Sequence, residues 1–216
     1  GEGIMGTSTR KTLKKIGDRL KKALIEDPTI SVDEIVPEVS QTVLRARKTK
    51  SYFSDKEFYV AIGGGLSAVK RIKEIGLPRY YEECSVKRSD DESFDITNLI
   101  SAILDRIEEE NGDFESSLIL NAFQVAVSRA LLDENMDEEL FLADFCKIFI
   151  SMIIREGVSE NMLDAFENSS RSDIDSSVDK FAVQYVAEHY SVHIKKLTNG
   201  DINVTEFIKC IMDEIK

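Results

Sequence analysis

From Asp95 to the C-terminus, apolar residues recur every three or four positions and no stretch alternates with period two. That is the pattern of helices that each bury one face. Ile96, Leu99, Ile100, Ile103, Leu104 and Ile107 predict one helix, broken by Asn111-Gly112-Asp113. Leu118, Ala122, Phe123, Ala126, Val127 and Ala130 predict a second. Leu140, Phe141, Phe145, Ile148, Phe149, Met152 and Ile153 predict a third over 137–155, ending at Gly157. A short helix at 159–166 precedes a polar loop at 168–172. A longer helix then carries Ile174, Val178, Phe181, Tyr185, Val186, Val192 and Leu197. Asn203-Val204-Thr205-Glu206 caps the last one, ahead of Phe207, Ile208, Ile211 and Met212. The expected fold is an all-α bundle of about seven to nine helices.

The front of the chain is less regular. Leu13, Ile16, Leu20 and Leu24 keep helical spacing among cations, so 10–24 reads as a basic amphipathic helix, weakened by Gly17 and closed by Asp27-Pro28. Ser31-Val32-Asp33-Glu34 reads as a capping box for a second helix that accommodates Pro37 and runs to Arg47. A polar basic stretch from Lys48 to Lys50 leads to Ser54-Asp55-Lys56-Glu57, then Phe58-Tyr59-Val60-Ala61-Ile62 and Gly63-Gly64-Gly65. A helix from Leu66 to Ile75 follows, stopped by Gly76 and Pro78. The polar segment 85–93 reads as a loop. Gly1-Glu2-Gly3-Ile4 reads as a tag remnant, with Met5 the native start. Met5-Gly6-Thr7-Ser8-Thr9 reads as a flexible tail, because glycine and β-hydroxy residues gain little by burial and lose much entropy on ordering. The predicted organisation is remnant and tail over 1–9, a basic helical segment over 10–50, and an acidic bundle over 51–216 with a sub-boundary near 85–94.

Charge sharpens this division. The chain of 216 residues has a net charge of -12, yet residues 1–80 carry 16 Lys/Arg against 10 Asp/Glu, and residues 81–216 carry 12 against 30. The acidic part is a poor ligand for nucleic acid or anionic lipid. Three widely spaced cysteines, Cys84, Cys146 and Cys210, form neither a disulfide framework nor a zinc knuckle. With no signal peptide and no run of 18 apolar residues, the expectation is a cytoplasmic protein without a membrane span.

Several constellations imitate chemistry. Gly63-Gly64-Gly65-Leu66-Ser67-Ala68 after an apolar run resembles a dinucleotide-binding turn, but the strands of a parallel sheet are missing downstream, and a hinge or close helix crossing is the competing reading. Residues 195–208 resemble the back half of a calcium loop, with Lys195 and Leu197 where oxygen ligands belong; a turn into a capped helix accounts for them as well. His189 and His193 have metal-ligand spacing without an evident third ligand. The acidic runs 108–110 and 133–139 read as solvated helix ends. No catalytic set, cofactor or metal is expected. The basic helix, with Arg10, Lys11, Lys14, Lys15, Arg19, Lys21 and Lys22, admits three uses: packing on the acidic body, contacting membrane or nucleic acid, or docking a partner protein. N-myristoylation is disfavoured, since Arg10 stands where Ser or Thr is wanted.

The start Met5-Gly6-Thr7-Ser8-Thr9, the stretch Gly63-Gly64-Gly65, Ile75-Gly76-Leu77-Pro78 and the helical C-terminal region together resemble the QatB proteins of Qat antiphage defence systems. The helices with Ile96 to Ile107 and Leu118 to Leu132 look like that family's paired helices, and Phe141 to Arg155 like its long apolar one. The resemblance implies a non-enzymatic subunit working with a QueC-like ATP-dependent partner that acts on the exposed N-terminus. Gly6, after removal of Met5, would then be the modified residue, with Thr7, Ser8 and Thr9 entering the partner's active site. An α-amine titrates near about pH 8, so it is partly neutral and nucleophilic in the cell. The alternative is a generic helical adaptor or regulator that binds its partner through the basic helix. A homo-oligomer stays open under both.

Overall fold

A computed structural model of the chain describes residues 6–166 and 171–215. The supposed tag remnant, Met5 and residues 168–170 of the expected polar loop lie outside the described residues. All regular structure within them is helical: α1 (Thr7–Glu26), α2 (Val36–Leu44), α3 (Arg47–Ser54), α4 (Lys56–Ile75), α5 (Leu77–Glu83), α6 (Glu92–Asn111), α7 (Ser117–Leu132), α8 (Glu138–Asn161), α9 (Arg171–His189), α10 (Ser191–Thr198) and α11 (Val204–Asp213), with 3-10 turns at Val32–Glu34 and Leu163–Phe166. The all-α expectation holds. The expected count of seven to nine was too low, because eleven α-helices lie among the described residues. Lys48–Lys50 belongs to α3 rather than a linker, α5 follows Gly76 directly, and the long helix expected over 174–197 breaks at Tyr190.

Helix α8 is the centre of the bundle. Ile148, Phe149, Ile150, Ser151, Ile153 and Ile154 encircle its middle turns and are buried, as are Phe141, Leu142, Phe145 and Cys146 before them, so this helix has no solvent-facing side in its middle turns. It packs against α7, α9, α2, α4 and α10. Phe149 stacks on Phe58 of α4 with ring centroids 4.4 Å apart, and Phe53 of α3 meets both rings edge-on at 5.1 and 5.4 Å. Such geometries satisfy the ring quadrupoles as well as filling space. One contiguous core runs from Leu13, Ile16 and Leu20 of α1 to Phe207 and Ile211 of α11. The 10–50 segment and both sides of the 85–94 loop contribute to it.

Glycine sets how closely these helices approach. Gly63, Gly64 and Gly65 lie inside α4, so the close-crossing reading of the glycine run is the one realised. A Cβ on Gly65 would overlap the ring of Phe141, and one on Gly64 would sit 2.5 Å from Ile107 Cδ1. Gly157 does not end α8: the helix passes through to Asn161, and a Cβ there would lie 2.7 Å from Val43 Cγ2 of α2. Side-chain caps close the starts of α6, α7 and α8, with Asp91, Ser116 and Asp137 accepting from Phe94 N, Ile119 N and Leu140 N at 3.1, 3.3 and 2.8 Å. The box predicted at Asn203 and Glu206 forms with both of its bonds, at 2.8 and 3.2 Å.

These clearances give two glycine positions, two residues apart in α4, opposite signs. Gly65→Ala should destabilise the protein by about 1–2 kcal/mol, since overlap with buried Phe141 outweighs the gain in helix propensity. Gly63→Ala, whose Cβ meets nothing within 4 Å, should stabilise it by about 0.5–1 kcal/mol. Urea unfolding of the two variants beside the wild type reads both signs in one experiment.

Candidate functional site

Helix α1 starts earlier than the sequence pattern indicates. Gly6 is its N-cap, Arg10 N donates to Gly6 O at 3.0 Å, and Thr7, Ser8 and Thr9 form its first turn. Thr12 Oγ1 donates back to Ser8 O at 3.1 Å. Gly6, Thr7 and Ser8 are exposed, while Thr9 is half-buried. Leu13, Ile16, Gly17 and Leu20 face the body. Gly17, which costs helix propensity, lets α1 approach the Leu163–Phe166 turn, where a Cβ would stand 3.3 Å from Ala165 Cβ.

The cations divide into one paired group and six outward ones. Arg19 forms an ion pair with Glu38 of α2. Arg10, Lys11, Lys14, Lys15, Lys21 and Lys22 are exposed, and no ion pair reaches them among the described residues. The first turn contains no acid, so Arg10 and Lys11 stand near the positive end of the helix dipole, an arrangement that costs the isolated helix stability. Arg10, Lys14 and Lys21 line one wall of a groove of about 410 Å³ whose other wall includes Glu160 and Asp164.

A second polar feature joins α3 to α8. The Lys48 side chain is only 8% exposed and forms ion pairs with Glu156 and with Glu160 Oε1, the latter at 3.3 Å. Tyr52 Oη donates to the Glu156 carboxylate at 2.9 and 3.0 Å. Burial pulls the Lys48 ammonium down, but the hydrogen bonds and charges of Glu156 and Glu160 outweigh it and hold it above its ordinary value. Sequence reasoning missed this cluster. Its trace was the matching i,i+4 spacing of Lys48 with Tyr52 and of Glu156 with Glu160, which means nothing until the two helices are known to face each other.

The glycine segment floors a cleft of about 530 Å³ between α4, α5 and α6, with Arg71, Tyr80, Glu83 and Arg106 around it. Because the glycines lie in the interior of α4, their amides are committed to the helix rather than free to cradle a pyrophosphate. Both cations are already occupied. Arg71 Nε donates to Glu83 Oε1 and Oε2 at 3.0 and 3.1 Å, and Arg106 Nη2 donates to the Glu83 carbonyl at 2.8 Å. The Arg71 hydrogen bond holds the Glu83 carboxyl below its ordinary value.

The two histidines do not share one helix. His189 ends α9 and His193 lies in α10, yet both turn to Glu214: His193 Nε2 is 3.0 Å from Oε1 and His189 Nδ1 is 3.5 Å from Oε2. No group of three or more His, Cys, Asp or Glu among the described residues is placed to hold a metal ion. Residues 199–203 form a turn, with Gly200 at φ 80°, that leads into the capped α11. The Cys146 thiol is buried, which pushes it up to about 12. No helix among the described residues is long and apolar enough to cross a membrane. No family model, curated protein or solved structure matches the chain.

The histidine contacts hold the Glu214 carboxyl below its ordinary 4.5, His193 first. A carboxyl lowered in the folded state contributes stability above its unfolded pKa and loses it as pH falls through the folded one. Urea unfolding should therefore show wild type more stable than Glu214→Gln at about pH 6, with the difference shrinking below about pH 4.5.

Proposed function

We propose that the chain is a non-enzymatic, partner-binding component of an antiphage defence system, and that it docks an acidic protein surface through the outward face of α1. The observation that carries this reading is the separation of roles on that helix. Leu13, Ile16 and Leu20 fix it to the body, while six cations face solvent without an ion pair among the described residues. A fold needing α1 only as a lid over its core has no use for six cations unpaired among the described residues, two of which, Arg10 and Lys11, stand near the dipole end that disfavours them. Opposite charge across an interface steers association and fixes register.

A second reading rests on this one and on the exposed Gly6. The partner is a QueC-like ATP-dependent enzyme, and Gly6, exposed after removal of Met5, is the residue bound and modified. Gly6 supports this because its surroundings are open: an added Cβ would meet nothing within 4 Å. Thr7 and Ser8 stand in an exposed first turn without a side-chain cap, and one turn of helix unravels at modest cost.

Charge reversal separates the two. Replacing Lys14, Lys15, Lys21 and Lys22 by Glu should weaken retention of the partner on a sizing column at least about tenfold, with the melting temperature little changed. Undiminished binding would overturn the docking reading. For the second, incubating protein that begins at Gly6 with the partner and ATP should add mass at Gly6. An unchanged mass with no complex formed removes it.

A further inference from the structure

On the side of α4 away from the glycine cleft, its C-terminal half, the end of α7 and the α7–α8 loop enclose a cavity of about 490 Å³. Its volume lies in the range of small-molecule sites, about 300–1,000 Å³. Its floor is apolar, made by Ile72, Val127 and Ala130 among others. Its rim is acidic: Asp133, Glu134 and Asp137 stand there against a single cation, Lys73. The carboxylates are only partly used. Asp133 Oδ1 accepts from Asn135 N at 2.9 Å and Asp137 Oδ1 from Leu140 N at 2.8 Å. The second oxygen of each and the whole exposed Glu134 carboxylate have no partner among the described residues.

We infer that this cavity is a binding site for a small amphipathic cation, an apolar body of about eight to ten carbons bearing one ammonium or guanidinium group. The floor supplies the apolar contact, and the bonds from Asn135 N and Leu140 N hold the Asp133 and Asp137 carboxylates in fixed directions, so the head group meets two acceptors already in place, with the Glu134 carboxylate adding charge beside them. An anionic ligand of the same shape would face three carboxylates, and a neutral one would leave them unanswered. The glycine cleft offers no such complement, since its arginines are already held by Glu83. This site is independent of α1 and of the docking role assigned to it.

Decylamine, decanol and decanoate, titrated calorimetrically into the intact protein below the concentration at which they aggregate, distinguish head groups on one tail. Decylamine should bind one to one and at least about tenfold more tightly than either of the others. Ala130→Phe should fill the floor and abolish binding. Glu134→Lys, at an exposed position that cannot prevent folding, should weaken decylamine about three- to tenfold and narrow its lead over decanoate. Equal binding of decylamine and decanoate, decylamine binding untouched by both variants, or no binding of any of the three would overturn the assignment. So would self-association abolished by Ala130→Phe without decylamine binding, which would give the cavity to a second copy of the chain.

Discussion

The structure depends on the contact between α4 and α8, where backbone meets aromatic ring without an intervening side chain. Gly65 leaves room for Phe141, and half a helix further back Phe58 stacks on Phe149. Because interiors are packed as tightly as organic crystals, moving either helix outward by one methyl would open voids on both sides of α8 at once. The neighbours of α8 then have fixed positions. Phe123 of α7 contacts Phe145, Val43 of α2 fills the space beside Gly157, and Phe53 of α3 closes the ring cluster. Small residues on one helix and phenylalanines on the other are two halves of one constraint.

That constraint also explains which parts of the fold were legible in the sequence. The amphipathic helices α6, α7 and α11 show their buried face directly in the spacing of their apolar residues, and for α11 the cap at Asn203 is readable as well. Where a helix is buried all round, or crosses another at a glycine, local rules mislead. Gly157 is a helix breaker by propensity and a contact point by packing, and packing wins because Val43 repays the missing side chain. The run Gly63-Gly64-Gly65 is the same case. In the reverse direction, Tyr190 has no breaking propensity, yet α9 ends before it and α10 begins after it, and the ring is fully buried against Tyr185 at 5.4 Å.

The candidate sites were legible to different degrees for a related reason. The seven cations of α1 are a local feature, readable from spacing alone. The Lys48 cluster and the Glu214 clamp are made between segments more than 20 residues apart, and Lys48 meets Glu156 across 108 positions. Nothing in either segment announces the other. The acidic run at 133–139 was visible as charge, but its place above an apolar cavity follows only from the way α4 and α7 converge.

The attachment of α1 bears most directly on function. Its hold on the body is apolar, through Leu13, Ile16 and Leu20, each nearly or fully buried. Burying such side chains contributes about 1.5–3 kcal/mol apiece, whereas a solvent-exposed pair such as Arg19 with Glu38 is screened by water and contributes far less. Helix docking and cation display are therefore set by different residues on different faces. Loss of partner binding on charge reversal would then report on the surface rather than on folding. The same division argues against the bland alternative that the cations exist to bind α1 to an acidic body: the body is acidic, but only Arg19 of the seven takes up that offer among the described residues.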